Sequence, residues 1–392
     1  MKKYNDVLET NSTWLKETFD KIDKKMSVMT LRSRNKLPYG VDENGMHIDT
    51  YPKKKDWWTN GFWGATNLLM YSKTGNEEYL ATACRSEELL DEVLEDYTKL
   101  HHDVGFMWHI LSGAKYRLTG DLKSKNRNLY MASVLSSRFV LCGQDGFIRA
   151  WNGGMGGGTN YNWSIVDCLM NLSLLYWASE EIGDDRFKRI AMKHADMALE
   201  QHLREDGSVV HIVEHERETG SCVKTHGGQG YGVGSSWSRG CAWALYGFMI
   251  SHKYTQEVRY LEGARKVADH FIEACAKTQW LPVIDFYAPK EPVYYDSTAG
   301  ACAACGLIEL AEQLPEEEGA KYLQAAIHIL RAMADKFCDF TIENDILLGY
   351  GSERYPVDGD LKKAGVHMPI IYGDFFYIEA VLKLLGNEFT PW

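Results

Sequence analysis

The sequence predicts an all-α chain of about twelve helices, packed as hairpins that close into a barrel. Three observations carry this expectation. An apolar helix ending in an aromatic-rich turn, a short Gly/Asp/Glu break and an amphipathic return recurs at 68–80, 111–121 and 174–184, more weakly at 245–260 and 307–322. Copies spaced by roughly 45 to 70 residues are the mark of stacked helical hairpins, each needing its neighbours to cover its apolar face. Strand-like alternation is nearly absent, and Gly-rich insertions near 153–158 and 226–234 suit closure, because barrel loops converge on a cavity at one face.

In chain order, the first helix is expected over 8–26, the second over 57–73 and the last over 370–385. Gly75, Gly120 and Gly183 mark the first three breaks, and Pro315 starts a return helix, where its missing N–H does no harm. Stretches at 208–213 and 146–149 alternate briefly and read as small β-hairpins inserted between helices. No Pro/Ser-rich spacer interrupts the pattern, so residues 1–392 are expected to form a single domain.

With 45% hydrophobic and 25% charged residues, the chain can bury a large core. A net charge of -11 with no Lys/Arg run argues against nucleic acid, although one or two arginines would suffice for a small anion. Two lysines near the start are followed by no apolar run, and no segment is apolar for long enough to span a membrane. The expectation is a cytoplasmic protein, monomeric or weakly dimeric. Nine cysteines are scattered through apolar patterns, as reduced core residues are; Cys302 and Cys305 share a CxxC spacing but lack a second ligand pair, so neither metal nor cofactor is expected. Many of the 48 aromatic residues (12 Trp, 22 Tyr, 14 Phe) sit beside Gly, Asn or Asp, a setting that suits a sugar-binding cleft and also an ordinary core.

Four loop-to-helix entries carry polar residues that core packing does not explain. Asp56-Trp57-Trp58-Thr59-Asn60-Gly61-Phe62-Trp63 is either a ligand wall or a core anchor capped by Thr59 or Asn60. His101-His102-Asp103 sets two histidines beside a carboxylate. Adjacent residues rarely point at one ion, so Asp103 reads as a cavity carboxylate or a helix N-cap rather than as part of a metal site. Gly157-Gly158-Thr159-Asn160-Tyr161-Asn162-Trp163-Ser164-Ile165-Val166-Asp167 leads into an apolar helix with Asp167 in its first turns. Partial desolvation there would raise its pKa toward neutrality and suit it to proton transfer; the alternative is a partner for the helix dipole.

The fourth entry is Gly227-Gly228-Gln229-Gly230-Tyr231, continuing to Ser236-Trp237-Ser238-Arg239-Gly240-Cys241-Ala242-Trp243, with His211 upstream. Neither a P-loop lysine nor a βαβ unit accompanies these glycines, which are read instead as letting backbone approach a ligand. Trp237, Arg239 and Trp243 fall near one side of the next helix, placing a guanidinium beside aromatic plates where it can receive a carboxylate bidentately. No GxSxG elbow is present. Two carboxylates with several tryptophans, His, Gln and Arg describe an enzyme handling a uronate-containing glycan.

At these residues the chain resembles the unsaturated glucuronyl hydrolases, glycoside hydrolase family 88. The resemblance rests on Trp57-Trp58-Thr59-Asn60-Gly61-Phe62-Trp63, His102-Asp103-Val104-Gly105-Phe106, Ile165-Val166-Asp167-Cys168-Leu169, Gln229-Gly230-Tyr231, Trp237-Ser238-Arg239-Gly240-Cys241, Asp296-Ser297-Thr298-Ala299 and Gly373-Asp374-Phe375-Phe376. It implies an (α/α)6 barrel and hydration of a vinyl ether in unsaturated uronyl di- or oligosaccharides made by lyases acting on glycosaminoglycans. It further implies that Asp167 is general acid and base, that Asp103 is the second carboxylate, and that His211, Gln229 and Arg239 contact the glycone. Trp57 or Trp58, Trp151, Trp237 and Trp243 would be its walls, with Asn60 beside them. The acidic Glu353 stands where members preferring sulfated disaccharides are expected to carry a Ser/Lys cluster, which leaves the aglycone open. Related rhamnogalacturonyl hydrolases acting on pectin fragments, and a non-catalytic glycan-binding protein on the same barrel, are the alternatives.

Overall fold

Among the described residues, six helices are apolar on nearly every side and six carry a single apolar stripe, and this difference sorts them into two rings. The computed structural model describes residues 1–153 and 160–392. The inner ring is α2 (Phe62–Thr74), α4, α6 (Cys168–Ile182), α8 (Ser238–Thr255), α10 (Ser297–Gln313) and α12 (Ile371–Leu384). Helix α4 opens as a π-helix over Gly105–Gly113 and continues as an α-helix over Ala114–Thr119. The outer ring is α1 (Asn5–Arg32), α3 (Glu77–Leu90), α5 (Leu122–Ser136), α7 (Arg186–Gln201), α9 (Val258–Ala276) and α11 (Glu316–Lys336).

Each inner helix packs on the next, α12 returns to α2, and α1 covers α12, so the circle closes from both ends of the chain. This is the (α/α)6 barrel. Gly75, Gly120 and Gly183 terminate inner helices in the left-handed conformation, the geometry that lets the chain reverse into the outer helix. Pro315 precedes α11 as its N-cap.

Among the described residues, three short antiparallel sheets sit in the loops: β1 (Pro38–Val41) with β2 (His47–Asp49), β3 (Phe139–Cys142) with β4 (Asp145–Ile148), and β5 (Trp163–Ile165), β6 (Ile212–His215) and β7 (Cys222–His226) in that order. The 146–149 stretch is the second arm of a hairpin, as its alternation implies. The strand expected over 208–213 starts only at Ile212, because Val209 makes a lone bridge to Leu203. The second helix also starts later than expected: Trp58–Gly61 forms a 3-10 turn and α2 begins at Phe62. All nine cysteines are unpaired, Cys302 and Cys305 being buried within α10. No helix among the described residues is long and apolar enough to cross a membrane.

Candidate active site

Backbone pairing sets the register of the two carboxylates. His102 N–H donates to the Ala150 carbonyl, Ala150 N–H donates to the Trp163 carbonyl in β5, and Val166 N–H donates to the carbonyl of His211 beside β6. Asp103 and Asp167 thus each follow a segment tied to the same small sheet. Asp167 occupies the N-cap position of α6, one residue earlier than a first-turn placement, and its side chain makes no capping hydrogen bond. Asp167 therefore sits at the positive end of α6 without capping it through its side chain.

Among the described residues, Asp167 Oδ1 is buried without a hydrogen-bond partner, and His211 Nε2 lies 3.7 Å from it. The side chain keeps 21% of its surface open. Burial nonetheless pushes the carboxyl up to about 6, and the charge of Asp103 adds to the rise, against His102 and Arg239.

Asp103 goes the other way. Its burial would raise the pKa, but His102 and then His101 outweigh burial and hold the carboxyl well below the usual range. His101 Nδ1 and His102 Nε2 each lie 3.3 Å from Oδ2 of Asp103, and Asn171 Nδ2 donates to Oδ1 at 3.2 Å. Sequence reasoning expected the neighbouring histidines to diverge; the turn instead gathers all three donor atoms within 4.8 Å. Both imidazoles face the carboxylate oxygen and stabilise its charge. Two carboxylates pushed to opposite protonation states are the arrangement that acid–base chemistry needs.

His211 is buried and pushed down to about 3 by burial and by Arg239, so its ring is neutral at physiological pH. Its Nδ1 accepts the Gln229 N–H at 3.0 Å, which leaves the proton on Nε2, the nitrogen that faces Asp167. Gly228 makes this contact possible: at φ +59, a Cβ built on it would lie 1.9 Å from Nδ1 of His211. The loop glycines were expected to admit a ligand, but here the close approach is to His211.

Arg239 is 2% exposed, with its guanidinium over Trp237 at 4.7 Å and Tyr372 at 5.6 Å. Its Nη1 donates to Asp296 Oδ2, Thr298 Oγ1 and the Ser352 carbonyl, and Nη2 donates to the Glu353 carbonyl. The end carrying Nη1 is thus held by protein, which narrows bidentate capture of a ligand to Nε and the remaining Nη2 hydrogen. Gln229 Nε2 donates to the same Glu353 carbonyl, while Tyr39 donates to the Glu353 carboxylate at 2.6 Å.

Among the tryptophans, Trp237 lies against His211 at 4.1 Å, and Trp243 is buried against Phe106 and Phe376. Trp57 meets the edge of Tyr39 and carries the Lys54 ammonium over its face, whereas Trp58 packs into Phe62, Phe106 and Tyr372. Trp151 pairs with Trp163 at 6.4 Å. Asn60 is a loop anchor, its amide donating to the carbonyls of Lys54 and Lys55. The Gly-rich stretch from Gly154 to Thr159, including Gly157 and Gly158, lies outside the described residues. Asn171, Asp296, Tyr39 and Glu353 complete the constellation without having been singled out for a role there.

No protein-family model matches the chain. An unsaturated glucuronyl hydrolase of Bacillus sp. (strain GL1) is 35% identical over 342 residues, 86% of this chain and 88% of the relative. The chain belongs to the unsaturated glucuronyl hydrolases. An unsaturated chondroitin disaccharide hydrolase of Streptococcus pyogenes serotype M1 is 31% identical, the alignment covering 86% of this chain and 83% of that one. A solved structure of a family member with dGlcA-Glc-Rha-Glc superposes with a TM-score of 0.83 at 32% identity, covering 92% of this chain and 95% of the other. The chain is thus a hydrolase of this family.

Proposed function

We propose that this hydrolase removes the 4,5-unsaturated uronic acid from the non-reducing end of lyase-generated glycosaminoglycan oligosaccharides by hydrating the vinyl ether. Protonated Asp167 gives its proton to C4, and the C4–C5 double bond supplies the electron pair for the new C–H bond. Positive charge then develops at C5 and the ring oxygen. The Asp167 carboxylate takes a proton from water as the water oxygen bonds to C5. That proton transfer returns Asp167 to its acid form; the C5 hemiketal then opens to a ketone, and the hemiacetal left at C1 collapses to an aldehyde and releases the aglycone as an alcohol. Asp103 remains ionised beside Asp167 and favours its protonated form.

His211, Gln229 and Arg239 are the proposed glycone contacts, with Trp57, Trp58, Trp151, Trp237 and Trp243 as walls and Asn60 holding the loop that carries the first two. The reading treats residues 1–392 as one catalytic domain, monomeric or weakly dimeric, in the cytoplasm, acting without nucleic acid or membrane. The observation that carries it is the Asp167 oxygen, unpartnered among the described residues, on a carboxyl raised to about 6 beside a carboxylate held ionised.

Incubation with unsaturated chondroitin and hyaluronan disaccharides tests the proposal. Absorbance of the double bond should disappear; its persistence with every such disaccharide would overturn the reading. Asp167→Asn should stay folded and lose the activity, whereas a fully active variant would move the acid elsewhere.

A further inference from the structure

A cavity of about 660 Å³ lies beside the acid site rather than in it, between the C-terminal end of α9 and the loop over 283–295. Its size falls within the range of small-molecule pockets, and nothing in the proposed hydration uses it.

Two backbone contacts show how thin the partition is. Trp237, whose ring covers His211, forms an antiparallel bridge with Asp285, which lines the cavity. Tyr355, also in the lining, donates its N–H to the carbonyl of Gln229. The Tyr355 ring meets Tyr231 at 5.0 Å on one side and Tyr294 of the cavity at 5.5 Å on the other. Tyr231 is 43% exposed. A line of tyrosines therefore runs from the Gln229 loop over one layer of chain into the cavity.

The lining has the chemistry of a sugar platform. Tyr287 is 47% exposed, yet its hydroxyl is fixed by Asp206 Oδ2, so an open aromatic face is already immobilised. Phe286 and Tyr294 add apolar faces for pyranose C–H groups. Lys290 is exposed and makes no ion pair among the described residues, which leaves a cation at the rim for an acidic sugar.

We propose that this cavity is a distal saccharide subsite that holds the rings of an oligosaccharide beyond the disaccharide at Asp167, an inference that rests on the hydrolase reading. The chain of the substrate crosses the Tyr231–Tyr355 rim and stacks on Tyr287, with a uronate carboxylate or sulfate facing Lys290.

The experiment compares kcat/KM on an unsaturated hyaluronan disaccharide and tetrasaccharide for the wild type, Tyr287→Ala and Lys290→Glu. Loss of a stacking face should lower kcat/KM for the tetrasaccharide by about tenfold, through KM, and leave the disaccharide unchanged. Lys290→Glu should act in the same direction. An unchanged ratio between the two substrates in both variants would overturn the subsite. If no unsaturated substrate is turned over, the hydrolase reading fails separately, and calorimetry with a saturated hyaluronan tetrasaccharide decides the subsite: Tyr287→Ala must weaken its binding by about tenfold.

Discussion

His211 presents Nε2 to Asp167 at 3.7 Å while its Nδ1 accepts the backbone N–H of Gln229. One ring therefore links the loop at 227–231 to the proposed acid, and its tautomer is dictated by the loop rather than by the carboxylate. Because the ring is held neutral, it can hydrogen-bond to Asp167 or to a substrate oxygen without competing for the proton of the proposed acid.

Gly228 controls that link. Gly228→Ala introduces a Cβ where Nδ1 of His211 now sits and does so at a positive φ, so both ring and loop must move. A displacement of this size should reduce kcat/KM by about 100-fold. Gly232→Ala, with nothing within 4 Å of its added Cβ, is the matched control and should remain within about twofold of wild type. Equal activities in steady-state assays would refute the role given to the close contact.

The split between the carboxylates makes a pH prediction. In the proposed reaction Asp167 must carry a proton to act, and its pKa is raised from 3.8 to about 6, so kcat/KM should fall as pH rises through about 6. Asp103→Asn removes the second contributor to that rise and leaves burial, the larger one. The descending limb of its residual activity should move to lower pH. A limb that stays in place, or moves to higher pH, contradicts the coupling.

Much of this site is legible as residue types. Asp103, Asp167, His211, Gln229, Trp237 and Arg239 stand out because polar or aromatic groups interrupt apolar helix entries, and the fold brings them together. Other parts leave no such trace. Glu353 positions Arg239 and Gln229 through its backbone carbonyl, which any residue possesses. Tyr39 arrives on a strand of four residues, too short for a periodic signal. The π-helical start of α4 is equally hidden, since its apolar residues are buried on every side and show no stripe from which a helical period could be read.

Asn171 did carry a readable signal, an amide four residues after Asp167 in the apolar first turn of its helix. Its Nδ2 donates to Asp103 while its Oδ1 accepts the Phe106 N–H at 2.8 Å, so it fastens the π-helical entry of α4 to α6. Asn171→Ala strands a buried backbone donor and frees Asp103 to turn. Stability should fall by about 1–3 kcal/mol in urea unfolding. Activity should fall about tenfold with the pH limb displaced, which a purely structural defect would not produce. Wild-type stability would exclude the bridging role.

Asp374 supplies a test of stability independent of catalysis. Burial pushes its carboxyl from 3.8 to about 7, with the Leu348 N–H and Lys25 opposing and Asp345 adding to the rise. The folded state therefore keeps a proton that the unfolded chain releases near its ordinary pKa. Its contribution is most favourable below about pH 4 and is lost as pH rises through about 7. Asp374→Asn preserves an oxygen to accept the Leu348 N–H and removes the ionisation. Its Tm should exceed that of wild type by on the order of 2–4 °C at pH 8, and the gain should shrink toward zero as pH falls below about 4. Thermal unfolding followed across that interval checks the sign: a gain that grows toward acid pH would mean that Asp374 is ionised and favourably paired in the folded barrel.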